Sequence, residues 1–216
     1  MAKVKAAVKH KLRWGSLCIE DLMNPKPEEI DLPEIDARLR VVRRFSNDPK
    51  ALFVRQHTRL AVLVAHELKL HPEHLHDEIL QWCYDHDDPE AITGDWPGPI
   101  KTLLKQHTAI VGILETGLEQ AILAAKGQAM PSLEVRHFAH IYDKIAESLE
   151  WKYVMGLDWE DWNPAAAREF PAERAEVLIA ICRSDIAWNT NSPPPTAQER
   201  SLTELQSNTE CSADEW

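Results

Sequence analysis

The residues best able to do chemistry together are the adjacent pair His86-Asp87, with His57 lying 29 residues before His86 and Asp143 lying 57 after it. Imidazole nitrogens and carboxylate oxygens hold a divalent metal while leaving positions free for water and substrate. Neighbouring side chains on a helix diverge, so His86 and Asp87 cannot both point inward from mid-helix. They converge only where a helix ends or bends. The amphipathic run over residues 79–85 that leads into them predicts such an end.

Helical periodicity gives these side chains directions. A helix is expected from residue 33 to 43 or 44, with Pro33 in its first turn, broken by Ser46-Asn47-Asp48-Pro49. The next covers about 55–70, where His57, Leu60, Ala61, Val64 and Leu68 share one face, so His57 points inward. A third, 72–86, puts Ile79, Cys83 and His86 in register. Residues 88–99 hold three prolines and two glycines and read as a loop with room for a short helix. Long helices are expected over 100–126 and 132–155, the second with the stripe Phe138, Ile141, Ile145 and Leu149, and Asp143 off that stripe beside Ala139 and Ala146. A last helix runs from 171 to about 188. Neither an alternating strand run nor an internal repeat is visible, so the class is all-α. From Asn189 the polar, proline-containing run reads as a disordered tail. Inward side chains on different helices are how metal sites in bundle cores are assembled.

Other residues admit two readings each. Glu90 and Asp95 suit helix capping or a general acid or base beside a metal. Arg44 and Lys101 suit a phosphate or a solvated surface. Phe45 and Trp96 suit a sugar or base contact, or the core. His66 and His71 are five apart rather than the four a zinc-protease helix needs; His71, His74 and His76 are expected in an exposed polar connector.

Composition narrows the partners. A net charge of -11 argues against binding a nucleic acid polymer, whose phosphates need a basic surface. It leaves room for a nucleotide held by a metal and one or two basic side chains. No run approaches the ~18–20 apolar residues of a membrane span. No apolar segment follows the basic start of the chain. A cytoplasmic, single-domain protein over residues 1–188 is expected. Cys18, Cys83, Cys182 and Cys211 are scattered without a CxxC pair, which suits reduced thiols.

Taken together, several segments resemble the HD-domain phosphohydrolase superfamily, with its H…HD…D signature. The likeness is sharpest to the branch of bacterial HD-domain 5'-deoxynucleotidases and their phage-encoded relatives. The carrying segments are Val42-Arg43-Arg44-Phe45, Arg55-Gln56-His57-Thr58, Tyr142-Asp143-Lys144 and the run from His86 to Lys101, which is similar to HDxxExxxGDxPxPxK. The lead-in from Leu22 to Ile30 is similar to that of phage-type members, and the resemblance covers about 22–155. It implies a compact helical domain with an irregular lead-in. It also implies one divalent metal (Mn, Co, Zn or Mg) on His57, His86, Asp87 and Asp143. Arg44 would orient phosphate, Glu90 would act as acid or base, and Asp95, Trp96, Pro97 and Gly98 would line the nucleotide pocket, with Phe45 beside the sugar. Two departures stand out: Gln56 where glutamate is common, and Phe45 where the deoxynucleotidases carry a tryptophan. The implied activity is hydrolysis of deoxyribonucleoside 5'-monophosphates. The alternatives are release of triphosphate from a dNTP and a non-catalytic nucleotide-binding module. Relatives are often homodimers.

Overall fold

The computed structural model describes residues 9–157 and 165–184. The tryptophans at 159 and 162, the expected tail from 189 and the end of the helix expected to reach 188 lie outside the described residues.

The first elements among the described residues form a short hairpin, β1 (Leu12–Trp14) and β2 (Leu17–Ile19), paired antiparallel with Trp14 opposite Leu17. Gly15 turns it with φ 54, a backbone angle that tight two-residue hairpin turns require. Sequence periodicity missed these strands, because three residues each are too few for alternation to register. The helices follow as α1 (Leu32–Leu39), α2 (Arg44–Asn47), α3 (Val54–Leu68), α4 (His76–Asp85), α5 (Glu90–Thr93), α6 (Gly98–His107), α7 (Ile110–Ala125), α8 (Leu133–Leu149), α9 (Ala165–Arg168) and α10 (Ala172–Arg183). The class is all-α.

Local chemistry sets the boundaries. Asp31 caps α1 by accepting the Glu34 amide, and Ser132 caps α8 by accepting the Val135 amide. At the head of α3, Gln56 accepts the Phe53 amide at 3.0 Å. A glutamate there would accept the same bond, so the departure at Gln56 leaves the helix start intact. Helix α1 ends at Leu39, short of the expected 43 or 44. Arg43 instead pairs in an isolated bridge with Phe53. The helix expected over 100–126 is broken: Thr108 is extended, its hydroxyl accepts the Ile110 amide, and α6 and α7 meet at a bend of 112°. Apolar residues continue in helical phase across that point, and a side chain bonding its local backbone outweighs them.

Helices α3, α4 and α8 pack on one another around Leu60, Ala61, Val64, Ile79, Cys83, Ala139, Tyr142, Ile145, Ala146 and Leu149. The stripe of α8 is thus centred on Ala139, Tyr142 and Ala146, with Phe138 and Ile141 at its margin. Each fully buried leucine or isoleucine in this cluster contributes roughly 1.5–3 kcal/mol. A second cluster joins Leu17, Ile19, Ile35, Leu39, Val54, Ala91, Ile92, Leu118 and Ile122. On α3, His57 stands between Val54 of the second cluster and Leu60 of the first. His71 is buried, correcting its expected exposure: Tyr142 Oη lies 2.6 Å from its Nδ1, and its Nε2 lies 2.8 Å from His76 Nδ1. No single helix among the described residues is long and apolar enough to cross a membrane.

Candidate metal centre

Three elements bring the sequence-selected ligands together. His57 enters from the second turn of α3 and is fully buried. His86 caps the C-terminus of α4, the helix end that an adjacent His-Asp pair requires. Asp143 comes from the middle of α8. One ligand atom from each of His57, His86 and Asp143 lies within 4.8 Å of the others, a group that could hold a metal ion. Asp143 Oδ1 is 2.9 Å from His57 Nε2 and 3.5 Å from His86 Nε2. Asp87 Oδ1 stands 3.3 Å from the same His86 Nε2.

Each imidazole is fixed from behind. His86 Nδ1 donates to the Cys83 carbonyl at 2.9 Å, which leaves Nε2 facing the group. His57 Nδ1 is 3.2 Å from Glu150 Oε2. The His86-Asp87 turn is itself anchored by ion pairs. Arg55 donates to the Tyr84 carbonyl, to Asp88 Oδ1 and to Asp36 Oδ1 at 2.9–3.0 Å. Lys126 bridges Asp85 and Asp88.

Arg44 is buried, so the surface reading of this residue does not hold. It lies among carboxylates: Nη1 is 3.6 Å from Asp87 and 3.8 Å from Asp95, Nη2 is 3.9 Å from Glu147, and Nε is 3.1 Å from Glu150. Its placement depends on a strained turn, with Phe45, Ser46 and Asn47 at φ 52, 56 and 68. Left-handed non-glycine residues cost about 1–3 kcal/mol each and persist only where the surroundings impose them. Here the imposing bonds are Arg44 N–H to Leu52 O and Val54 N–H to Val42 O, at 3.0 and 2.9 Å. Phe45 stacks on Trp151 with ring centroids 4.3 Å apart, a contact no sequence pattern announced.

The remaining expected residues divide. Glu90 opens α5 and is buried, with Lys101 Nζ 3.8 Å from its Oε1; Lys101 also pairs with Glu115 at 2.8 Å. Asp95 joins the Arg44 group. Trp96 is 37% exposed and donates its indole N–H to the Thr93 carbonyl, so it does not fill the core. Pro97 and Gly98 form the start of α6. Among the described residues, no hydrogen bond or ion pair joins Trp96, Pro97 or Gly98 to the histidine–carboxylate group.

Electrostatics separate the acids. Burial pushes Asp87, Glu90, Asp95 and Asp143 upward, but His57 and His86 hold Asp143 well below the ordinary range, and His86 and Arg44 hold Asp87 below it. Burial, with Asp87 and Asp95 close by, pushes Glu90 well above it. Burial opposes charge on His86, yet Asp87 and Asp143 lift it to about 10. Buried atoms without a hydrogen-bond partner include His86 Nε2, Asp87 Oδ2, Glu90 Oε2, Asp95 Oδ2 and Arg44 Nε. Polar atoms buried this way are costly, and a cluster of them fits a cation and a polar ligand.

Neither a family model nor a curated protein matches this chain. Sequence reasoning missed Glu150 and Trp151. The available signal for Glu150 was its spacing of seven residues from Asp143, two helical turns along one face.

Proposed function

We propose that this protein is a metal-dependent phosphohydrolase acting on nucleotides, a 5'-nucleotidase for deoxyribonucleoside monophosphates. The observation that carries the reading is the meeting of His57, His86 and Asp143 with Asp87, beside a buried Arg44 and a buried Glu90. The resemblance to HD-domain phosphohydrolases leads to the same residues. In this reading Asp87 completes the ligand set as its fourth member. Mixed nitrogen and oxygen donors suit Mn, Co, Zn or Mg.

Charge supports the need for a cation. Arg44 already faces Asp87, Asp95, Glu147 and Glu150 within 4 Å, as the four pairs at 3.1–3.9 Å record. One guanidinium so surrounded does not attract a phosphate dianion by itself. A divalent ion supplies charge neutralisation and acidifies water for attack on phosphorus. Arg44 then offers its Nη atoms to the phosphate in a charge-assisted pair. As water attacks, the bond from phosphorus to the nucleoside 5' oxygen breaks, and Glu90 gives its proton to that oxygen. The Phe45–Trp151 pair, one residue from Arg44 along the chain, suits a sugar or base face.

Incubating the metal-loaded protein with dAMP and with dATP tests the substrate. Inorganic phosphate from dAMP is expected. Triphosphate from dATP, with dAMP untouched, would move the assignment to a triphosphohydrolase. Tight metal binding without turnover of any nucleotide would leave a binding module.

A further inference from the structure

Glu150 is fully buried at the point where α8 gives way to a π-helical turn, Glu150–Val154. Such turns within helices are uncommon and concentrate at functional sites. Its Oε1 accepts the Leu52 amide at 2.9 Å. Its Oε2 stands 3.2 Å from His57 Nδ1 and 3.1 Å from Arg44 Nε. One carboxylate therefore touches a metal-ligand candidate, the phosphate-binding candidate and the strand-like segment that holds the Arg44 turn in place.

Neutralising Arg44 does not by itself account for Glu150. Asp87, Asp95 and Glu147 already surround the guanidinium at 3.6–3.9 Å. The geometry around His57 is more particular. Asp143 and Glu150 lie seven residues apart on one helix face and bracket a single imidazole, Asp143 at Nε2 and Glu150 at Nδ1.

We propose that Glu150 is a positioning residue that couples the metal site to the phosphate clamp. It keeps the His57 proton on Nδ1, so that Nε2 is the ligand atom, and it holds the Nε side of Arg44 by ion-pair contact rather than by a hydrogen bond, so that both Nη groups face the site. The proposal rests on the metal-dependent reading above. His86 is set the same way through Cys83 O, so both histidines present Nε2. Carboxylates that orient a ligand histidine are a recurring device, and losing one costs roughly 10–100-fold in metal affinity or activity.

The substitution Glu150→Gln tests this, because the amide keeps the shape and still accepts from Leu52. Its NH2 then faces His57 Nδ1 and favours the tautomer with the proton on Nε2. Expected is Co2+ binding weakened about 10–100-fold by calorimetry, with a changed Co2+ absorption spectrum, while kcat and KM for dAMP both worsen. Unchanged Co2+ affinity and spectrum with only KM raised would overturn the coupling and reduce Glu150 to a partner of Arg44. A wild-type protein that binds no Co2+ would instead remove the metal reading, and the proposal with it. A test on the wild type alone covers a variant that does not fold. Histidine-selective 15N NMR of the Zn2+-loaded protein should show His57 bound through Nε2 with Nδ1 protonated; binding through Nδ1 would overturn the proposal.

Discussion

Asp87, partly buried, and Glu90, buried, lie three residues apart, and their surroundings drive the two carboxyls in opposite directions. Asp87 has His86 and Arg44 beside it and stays ionised, as a ligand must. Burial, with Asp87 and Asp95 close by, pushes Glu90 well above the ordinary carboxylate range, the direction that favours the protonated form a general acid needs. Because the Glu90 pKa is raised on folding, the stability this group contributes is full below the ordinary carboxylate range and is lost as pH rises through its folded value. Glu90→Gln is always neutral. It should cut kcat by about 10²–10⁴ yet melt higher than the wild type at mildly alkaline pH, as read by calorimetric scanning. Wild-type turnover should fall as pH rises through the same titration. His86 gives a second prediction. Its imidazole is lifted to about 10, so at neutral pH it carries a proton that a metal must displace. Metal uptake should release protons and tighten with rising pH, seen as binding heats that differ between buffers of different ionisation enthalpy. Equal heats in all buffers would speak against His86 as a ligand. That His57, His86 and Asp143 form a group that could hold a metal ion was legible, because residue type and helical phase agreed at His57 and His86. Glu150 was not, because a lone glutamate near a helix end looks like surface until the partner across the core is known.

Elements hold this arrangement by ion pairs as much as by apolar packing. Lys126 follows α7 and reaches across to Asp85 and Asp88, which flank the His86-Asp87 pair. Removing one partner of a buried network strands the other charges. Lys126→Met should lower unfolding stability by about 3 kcal/mol in urea titrations, with a matching loss of metal affinity as the turn loosens. Stability within a few tenths of wild type would mean that Arg55 alone holds the turn. The left-handed turn at Phe45, Ser46 and Asn47 is the other tension point, and it is what aims Arg44 inward. Periodicity located α3, α4 and α8 well, since each has a broad apolar face. It misjudged the 100–126 span because Thr108 breaks the helix through a hydroxyl-to-backbone bond that hydrophobic spacing does not register.

At the scale of the molecule, two buried clusters meet along α3, and His57 stands where they adjoin. The all-α class followed from composition and spacing. The small hairpin packed on α1 through Trp14 and Arg38 did not, since its strands are too short to read. A site lined with so many carboxylates is destabilising when empty of counter-charge, so a bound cation should stabilise the whole fold. At a metal concentration about 100 times Kd the gain is about 2.7 kcal/mol, seen as a higher melting temperature that a chelator reverses. Asp143→Ala should show no such rise.

In the proposed function, phosphoester hydrolysis depends on an ion held by His57, His86, Asp87 and Asp143. The most direct measurement is dAMP turnover by chelator-stripped protein as Mn2+ is returned, for the wild type and for Asp87→Ala. The wild type should be inactive when stripped and recover with the metal, and Asp87→Ala should stay inactive throughout. Near-wild-type, metal-dependent turnover by Asp87→Ala would contradict the assignment.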